Sequence, residues 1–469
     1  MWQIIRNEWH SLIRHRVLLG ISLGFLALLL VTIFLGNLQS QKEADQYTQA
    51  KEHLREQWES IQEMNPHGAA HYGTYVFKPN TLLSSLDDGV NNITGKVLRV
   101  EGHVQNEIVY SEASQNQTIS KFGKLKSALL LQYIIPLLLI FLAFQSIHRE
   151  KQSGRLKLLL IQGTQASQLV FAKTLAVSLY GIGLLLLTVI SYALLNYNSL
   201  TADIISRTSF LFLVYSLYYF ILTALTTYLS TRMVNANLAL TTMLGTWIFW
   251  TIFLPNILMS SVETWHPLPS RDSFKSAMQE DRSKGLDGHN PADERAKELE
   301  ERVLKEYGVD SLSQLPINFD GIVMQEDEEY GNQVWDKHFG NLRTVFAQQK
   351  RTYQLAGIMN PFISLQNASM GFAGSDNLHH QEFLVQVENY RRVFIKELND
   401  EHAFGGSKTG DWGWMADNAF FKSVEDFEYQ PTSLSVVFSS YLLDLSFLLG
   451  WSLLAGILLL IETKKMRIL

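Results

Sequence analysis

Six stretches of this chain, residues 17–38, 128–147, 169–195, 210–230, 238–259 and 434–461, are apolar and almost free of charge. A hydrocarbon layer of roughly 30 Å takes about 20 residues of helix to cross, so each stretch is long enough to be a span. The runs are continuous rather than alternating, which excludes a closed barrel and leaves helices as the way to satisfy the backbone in lipid. The mean hydropathy of the whole chain is close to zero only because polar stretches offset these six. The first run follows Arg6, Arg14 and Arg16 as a signal peptide would. It is too long for a typical signal core, however, and no small-x-small cleavage site follows it, so it reads as a retained anchor.

Lys and Arg in the short connections set the orientation. Arg6, Arg14 and Arg16 precede the first span. Arg149, Lys151, Arg155 and Lys157 follow the second, Arg232 follows the fourth, and Lys464, Lys465 and Arg467 follow the sixth. All four groups fall on one side of a six-span chain, whereas the loop 196–209 offers only Arg207 against Asp203. The expectation is an α-helical membrane protein with both termini cytoplasmic. Its extracytoplasmic regions, 39–127 and 260–433, would form a mostly helical domain with a few short strands. Residues 148–168 and 462–469 would be cytoplasmic. At residues 1–16, Trp2, Ile5, Trp9, Leu12 and Ile13 oppose Arg6, Asn7, His10 and Arg14, the pattern of a helix lying in the membrane interface.

In the first outer region Ala44, Tyr47, Leu54, Trp58 and Ile61 continue the first span outward as helix, and Asn65-Pro66 is expected to end it. Residues 96–101 and 107–111 read as short strands separated by Gly102, and 121–126 lead back to the membrane. In the second region Asn290-Pro291 opens a helix that Gly308 stops. Val334 to Tyr353 and Phe383 to Leu398 carry the apolar stripes of two more helices.

The chemistry is sparse. The absence of cysteine removes thiolate metal sites and disulfides. The net charge of −6 gives no sign of a nucleic-acid partner. No G-x-x-x-x-G-K-[ST] loop is present, so any ATP must bind another chain. The nearest approach to a metal cluster is His379-His380 with Glu382 and Glu388, but adjacent histidines on a helix point apart. His67 and His71 could share a helix face, yet Pro66 and Gly68 favour a loop, and His103 is a further outer histidine. Capping and polar packing are therefore expected of these residues, with no metal. Asp444, inside the sixth span, is costly unless it faces water or a partner. It is a candidate for a translocation path or subunit interface, or else bonds a nearby hydroxyl of Ser439, Ser440 or Tyr441. Pro136 and Pro255 predict local kinks.

The short loop Glu150-Lys151-Gln152-Ser153-Gly154-Arg155-Leu156-Lys157-Leu158-Leu159-Leu160 is of a size for one small helix to dock on another protein, with Gly154 allowing a bend. A glutamate, a basic residue, a glycine and then a leucine-rich run resemble the loop between the second and third spans of type-2 ABC exporter permeases. The basic amphipathic segment 1–16 is similar to the elbow helix of that family, and the six-span layout agrees. The large insertion after the fifth span resembles a bacterial subgroup whose outer domain has no known function. That likeness is carried by Pro79, Leu82, Leu86 and Gly89, by His266-Pro267-Leu268-Pro269-Ser270-Arg271, by Asn360-Pro361, and by Gly374, Asp376, His379, His380, Phe383, Glu388, Tyr390 and Arg391. The chain departs from many relatives where Gln162-Gly163-Thr164-Gln165 replaces a proline and an arginine.

The resemblance implies a subunit of the bacterial inner membrane that is not itself an enzyme and has no catalytic residue. It would pair with a second permease copy or a related chain, and with two copies of an ATPase that binds ATP and Mg. Glu150, Lys151, Gly154, Arg155 and Lys157 would carry the ATPase motion. Export, force transmission to an extracytoplasmic partner, and a membrane-bound metal hydrolase are the three functions that this sequence leaves open.

Overall fold

The computed structural model describes residues 1–14, 16–105 and 126–466; the strand expected at 107–111 and most of 121–126 lie outside these. Each expected span is a helix: Leu19–Glu59, Ser127–Gln152, Ala166–Leu195, Ala202–Arg232, Ala236–Trp265 and Leu434–Lys465, called spans 1 to 6. Span 4 lies at the centre, packed on spans 2, 3 and 6, and spans 1, 5 and 6 present most of the exposed apolar surface. An amphipathic helix, Trp2–Arg14, precedes span 1 and lies against span 3. The described residues of the four basic groups gather at one end of the bundle, where Lys151 bonds the Thr231 carbonyl and Arg232 lies 3.6 Å from Glu462. That end is called proximal here and the other distal.

The two spans with an interior proline at Pro136 and Pro255 share one construction. A widened turn, Leu130–Ile134 in span 2 and Phe249–Phe253 in span 5, sits just before a proline. Proline has no N–H and clashes with the carbonyl one turn back, and a π-turn relieves the clash. Ile135 and Leu254 donate five residues back, to Leu130 and Phe249. The next donors in register would be Pro136 and Pro255, which have none, so the carbonyls of Leu131 and Trp250 need outside partners. The Tyr219 hydroxyl donates to Leu131 O at 2.9 Å, and the Asn360 amide to Trp250 O at 2.7 Å.

Asn360 belongs to the region expected to lie wholly outside the bundle, and here the structure corrects that expectation. A long helix, Phe319–Leu355, runs inward from the distal domain, turns at Ala356–Ile358, and returns as Pro361–Ala373. The returning helix is buried along most of its length against spans 4 and 6. Its turn reaches Trp250 and Trp451, which stand near the middles of spans 5 and 6; Trp451 donates to Gly357 O at 3.0 Å. The close approach needs Gly371, where a Cβ would meet the Tyr441 ring at 2.1 Å.

The buried carboxylate of Asp444 receives the amides of Gln354 at 2.6 Å and Asn367 at 3.0 Å. It therefore pins the hairpin to span 6 and bonds no hydroxyl of Ser439, Ser440 or Tyr441. Asp87, beside the distal ends of the spans, accepts from Ser369 on the returning helix and from Gln132 in span 2 at 3.1 Å.

The distal domain has its own core. Trp58 at the far end of the first helix packs with Phe394, Phe421, Val387 and Leu398, and its indole donates to Phe421 O at 2.9 Å. The strand expected at 96–101 is observed as Val97–Val100, and its partner is Thr74–Phe77, antiparallel. A second short pair joins Glu63–Met64 to Ala416–Asp417. Two helix boundaries differ from expectation. The first helix ends at Glu59 rather than Asn65-Pro66, because Asn65 instead caps a new helix, Pro66–Tyr72, by accepting from His67 and Gly68. The helix stopped by Gly308 begins at Ala292, with Pro291 in the cap position.

An Asn360→Leu substitution strands the Trp250 carbonyl in an apolar setting, a loss of about 1–3 kcal/mol. Thermal unfolding in detergent micelles should show a clearly lowered midpoint, whereas Asn256→Leu, at an exposed position of the same span, should change little.

Candidate functional site

At the proximal end the loop after span 2 folds as two short helices, His148–Gln152 and Arg155–Ile161, joined through Gly154 in the left-handed conformation at φ 70°. The first half is tied inward. Lys173 of span 3, only 4% exposed at its side chain, takes Glu150 at 3.0 Å and Glu8 of the amphipathic helix. A buried ammonium persists only with such partners. Trp9 reinforces the joint by donating to Ala176 O at 2.9 Å, while Ile5 packs on Ala172 and Ala176. Lys151 is tied to the end of span 4 through Thr231. Glu150 and Lys151 are thus tethers, not groups presented to solvent.

The second half faces outward. Arg155 leans on Glu150 at 3.6 Å but is largely exposed, and Lys157 is exposed. Leu156 and Leu160 pack on the bundle beside Ile147 and Ala166. Leu158 and Ile161 point away, 59% and 82% exposed. A cavity of about 530 Å³ opens between this loop and the amphipathic helix, lined by Asn7, Glu8, Gln145, Arg149, Glu150 and Arg155. Lys173 and Glu8 belong to no motif, and the signal in the sequence is a lone lysine inside an apolar span, which needs an acid within reach.

Several residues of the distal motifs are helix caps. Ser270, following Pro269, accepts from Ser273 N and starts Arg271–Lys284. Asn360 starts the returning helix, and Asp376 starts Asn377–Phe404 by accepting from His379 N at 3.2 Å. Asp376 also takes the His379 ring and the Tyr441 hydroxyl of span 6. Glu388 and Arg391 form a buried ion network: Arg391 bonds Glu388 at 2.9 Å, Glu328 at 2.9 Å and Asn332 at 2.7 Å, with the Trp335 ring 4.4 Å away. His379, His380, Glu382 and Glu388 do not converge, since His379 turns to Asp376 and Glu388 to Arg391 and Arg392.

The other histidines do converge. His67 and His71 sit one turn apart on a helix, not in a loop, with their Nε2 atoms 3.2 Å apart. One nitrogen from each of His67, His71 and His103 falls within 4.8 Å of the others.

Burial, with the Lys78 charge second, lowers His380 from 6.5 to about 4. Its folded value lies below its unfolded one, so its contribution is complete above pH 6.5 and is lost as pH falls toward 4. The size is about 3 kcal/mol at most. The acid-side fall in stability between these values, followed by denaturant titration, should be shallower in His380→Leu than in the parent; equal slopes would remove His380 as its source.

Two family models match. One described as ABC-2 family transporter protein covers residues 2–286, and one described as a domain of unknown function, DUF3526, covers residues 273–430. No curated protein and no solved structure matches. The first match covers more than half of the chain, and it fits six helices of membrane length with an amphipathic helix before them. The chain belongs to the ABC-2 transporter family, as a membrane permease subunit that carries a DUF3526 domain between its fifth and sixth spans.

Proposed function

We propose that this permease works in an ATP-driven exporter of the bacterial cytoplasmic membrane, with its termini in the cytoplasm. It pairs with a second permease, a copy of itself or a related chain, and with two ABC ATPase subunits that hold ATP and Mg. One observation carries the reading: the proximal loop is anchored by Glu150 through Lys173 while Leu158 and Ile161 stay uncovered. The first short helix is anchored by Glu150, and the second packs on the bundle through Leu156 and Leu160 while Leu158 and Ile161 face outward, which suits a moving partner because displacement passes into the spans instead of being lost in the loop. The basic residues at this end agree with a cytoplasmic location. Trp2, two-thirds exposed on the amphipathic helix, suits contact with the lipid interface.

A second reading shares the same ATPase. The hairpin joins the distal domain to the middle of span 5 through Asn360 and to span 6 through Gln354 and Asn367. Motion of those spans would then move the domain, and an extracytoplasmic partner could receive force with no cargo crossing.

Burying Ile161 in a docking groove contributes about 2 kcal/mol, so Ile161→Glu should weaken ATPase association by about tenfold or more. Co-purification from membranes measures this, and the exposed position leaves folding intact. Undiminished association would place the ATPase elsewhere. Transport into inside-out vesicles separates export from force transmission.

A further inference from the structure

We propose that His67, His71 and His103 form a binding site for a divalent transition-metal ion of the zinc type on the distal domain, with one coordination position open to solvent. The site stands independently of the transporter reading.

The donors come from two elements that are each fixed. His67 and His71 lie at i and i+4 on Pro66–Tyr72, the spacing that puts two imidazoles on one helix face. Asn65 caps that helix and also donates to the carbonyls of Trp412 and Trp414, which locks it to the domain. Four ligands at about 2.0–2.1 Å in a tetrahedron stand roughly 3.3 Å apart, and the two Nε2 atoms already lie at 3.2 Å. Without an ion, two uncharged imidazoles at this spacing must share one hydrogen between them.

His103 arrives on a tight turn between Gly102 and Val104. Among the described residues it is the one non-glycine with positive φ, at 64°. A left-handed histidine is uncommon, and such strain gathers at functional sites. Its Nδ1 lies 3.0 Å from Glu328 Oε1, and its backbone N–H meets the same oxygen. Metal-binding histidines commonly direct one ring nitrogen to a carboxylate, which fixes the tautomer and aims the other at the ion. Glu328 is fixed in turn by Arg391 at 2.9 Å. The buried ion network of the domain therefore serves as the outer shell of the site.

The three nitrogens need only a modest closure, at most about 1.5 Å, to reach tetrahedral spacing. His71 is exposed and free to make it. Three neutral nitrogen donors and no thiolate suit zinc or copper(II) more than calcium or magnesium. The exposure of His71 leaves room for water or a ligand in the fourth position. The cluster is assembled from residues 36 apart in sequence, between His67 and His103, on elements that also bear on the DUF3526 domain through Glu328.

The test uses the full-length permease without a histidine tag, in detergent, stripped with chelator. Competition titration with a chromophoric zinc chelator should give one Zn²⁺ per chain. His71→Ala should weaken binding by about 100-fold or more, and Glu328→Gln by about 10–100-fold. Co²⁺ should show the intense visible bands of a four-coordinate nitrogen site in the parent and not in His71→Ala. Because His71 is exposed, that variant keeps the fold, which an unchanged unfolding midpoint of the ion-free protein verifies. No stoichiometric Zn²⁺ in the parent, or equal affinity in folded His71→Ala, would overturn the proposal.

Discussion

Two backbone carbonyls, those of Leu131 and Trp250, organise the membrane half of this protein. Each loses its helical donor to a proline, and neither can be left bare in an apolar layer, which offers no water to bond it. Tyr219 answers the first and thereby fixes span 4 against span 2. Asn360 answers the second from a segment more than a hundred residues away, and so holds the tip of a polar hairpin in the middle of the bundle. Once the tip is there, its remaining polar groups need partners too. Asp444 supplies them for Gln354 and Asn367, and Asp87 for Ser369. The hairpin tip and the buried carboxylates that bond it follow from one requirement.

The proximal end obeys the same rule with full charges. Lys173 inside span 3 draws Glu8 and Glu150 to it, binding the amphipathic helix and the proximal loop to one point. Span 2 leads from this loop to Gln132, which donates to Ser369 on the returning helix. Three residues after that helix, Asp376 starts the long distal helix. That helix carries Glu388 and Arg391, and Arg391 reaches Glu328 and through it His103. A route of this kind passes motion only if its elements have two stable arrangements.

Much of this architecture was legible in the sequence because length and apolarity report spans directly. The six helices, the outward run of the first, the stop at Gly308 and the bend at Gly154 follow from local chemistry. The hairpin did not, because Arg343, Lys350 and Arg351 give its descending arm the polarity of a soluble helix. Its membrane position depends on tertiary partners such as Tyr441, on which Lys350 lies, and no window of sequence contains them. Asp444 was visible as an anomaly, but its partners stand 77 and 90 residues away. The histidines failed for a different reason. Pro66 reads locally as a helix breaker, although a proline just after an asparagine cap is a favourable first-turn residue. His103 joins them through a strand pairing, Thr74–Phe77 with Val97–Val100, that no local pattern announces.

The depth of the hairpin tip is the most direct measure of this account. The chain has no cysteine, so a single spin label attached at Met359→Cys reports one place. Met359 is 63% exposed at the tip, between Ile358 and Asn360. In lipid nanodiscs the label should relax strongly with oxygen and weakly with a water-soluble nickel chelate, at a depth near the bilayer centre. Strong relaxation by the nickel chelate with little effect of oxygen would place the tip in water and contradict the account.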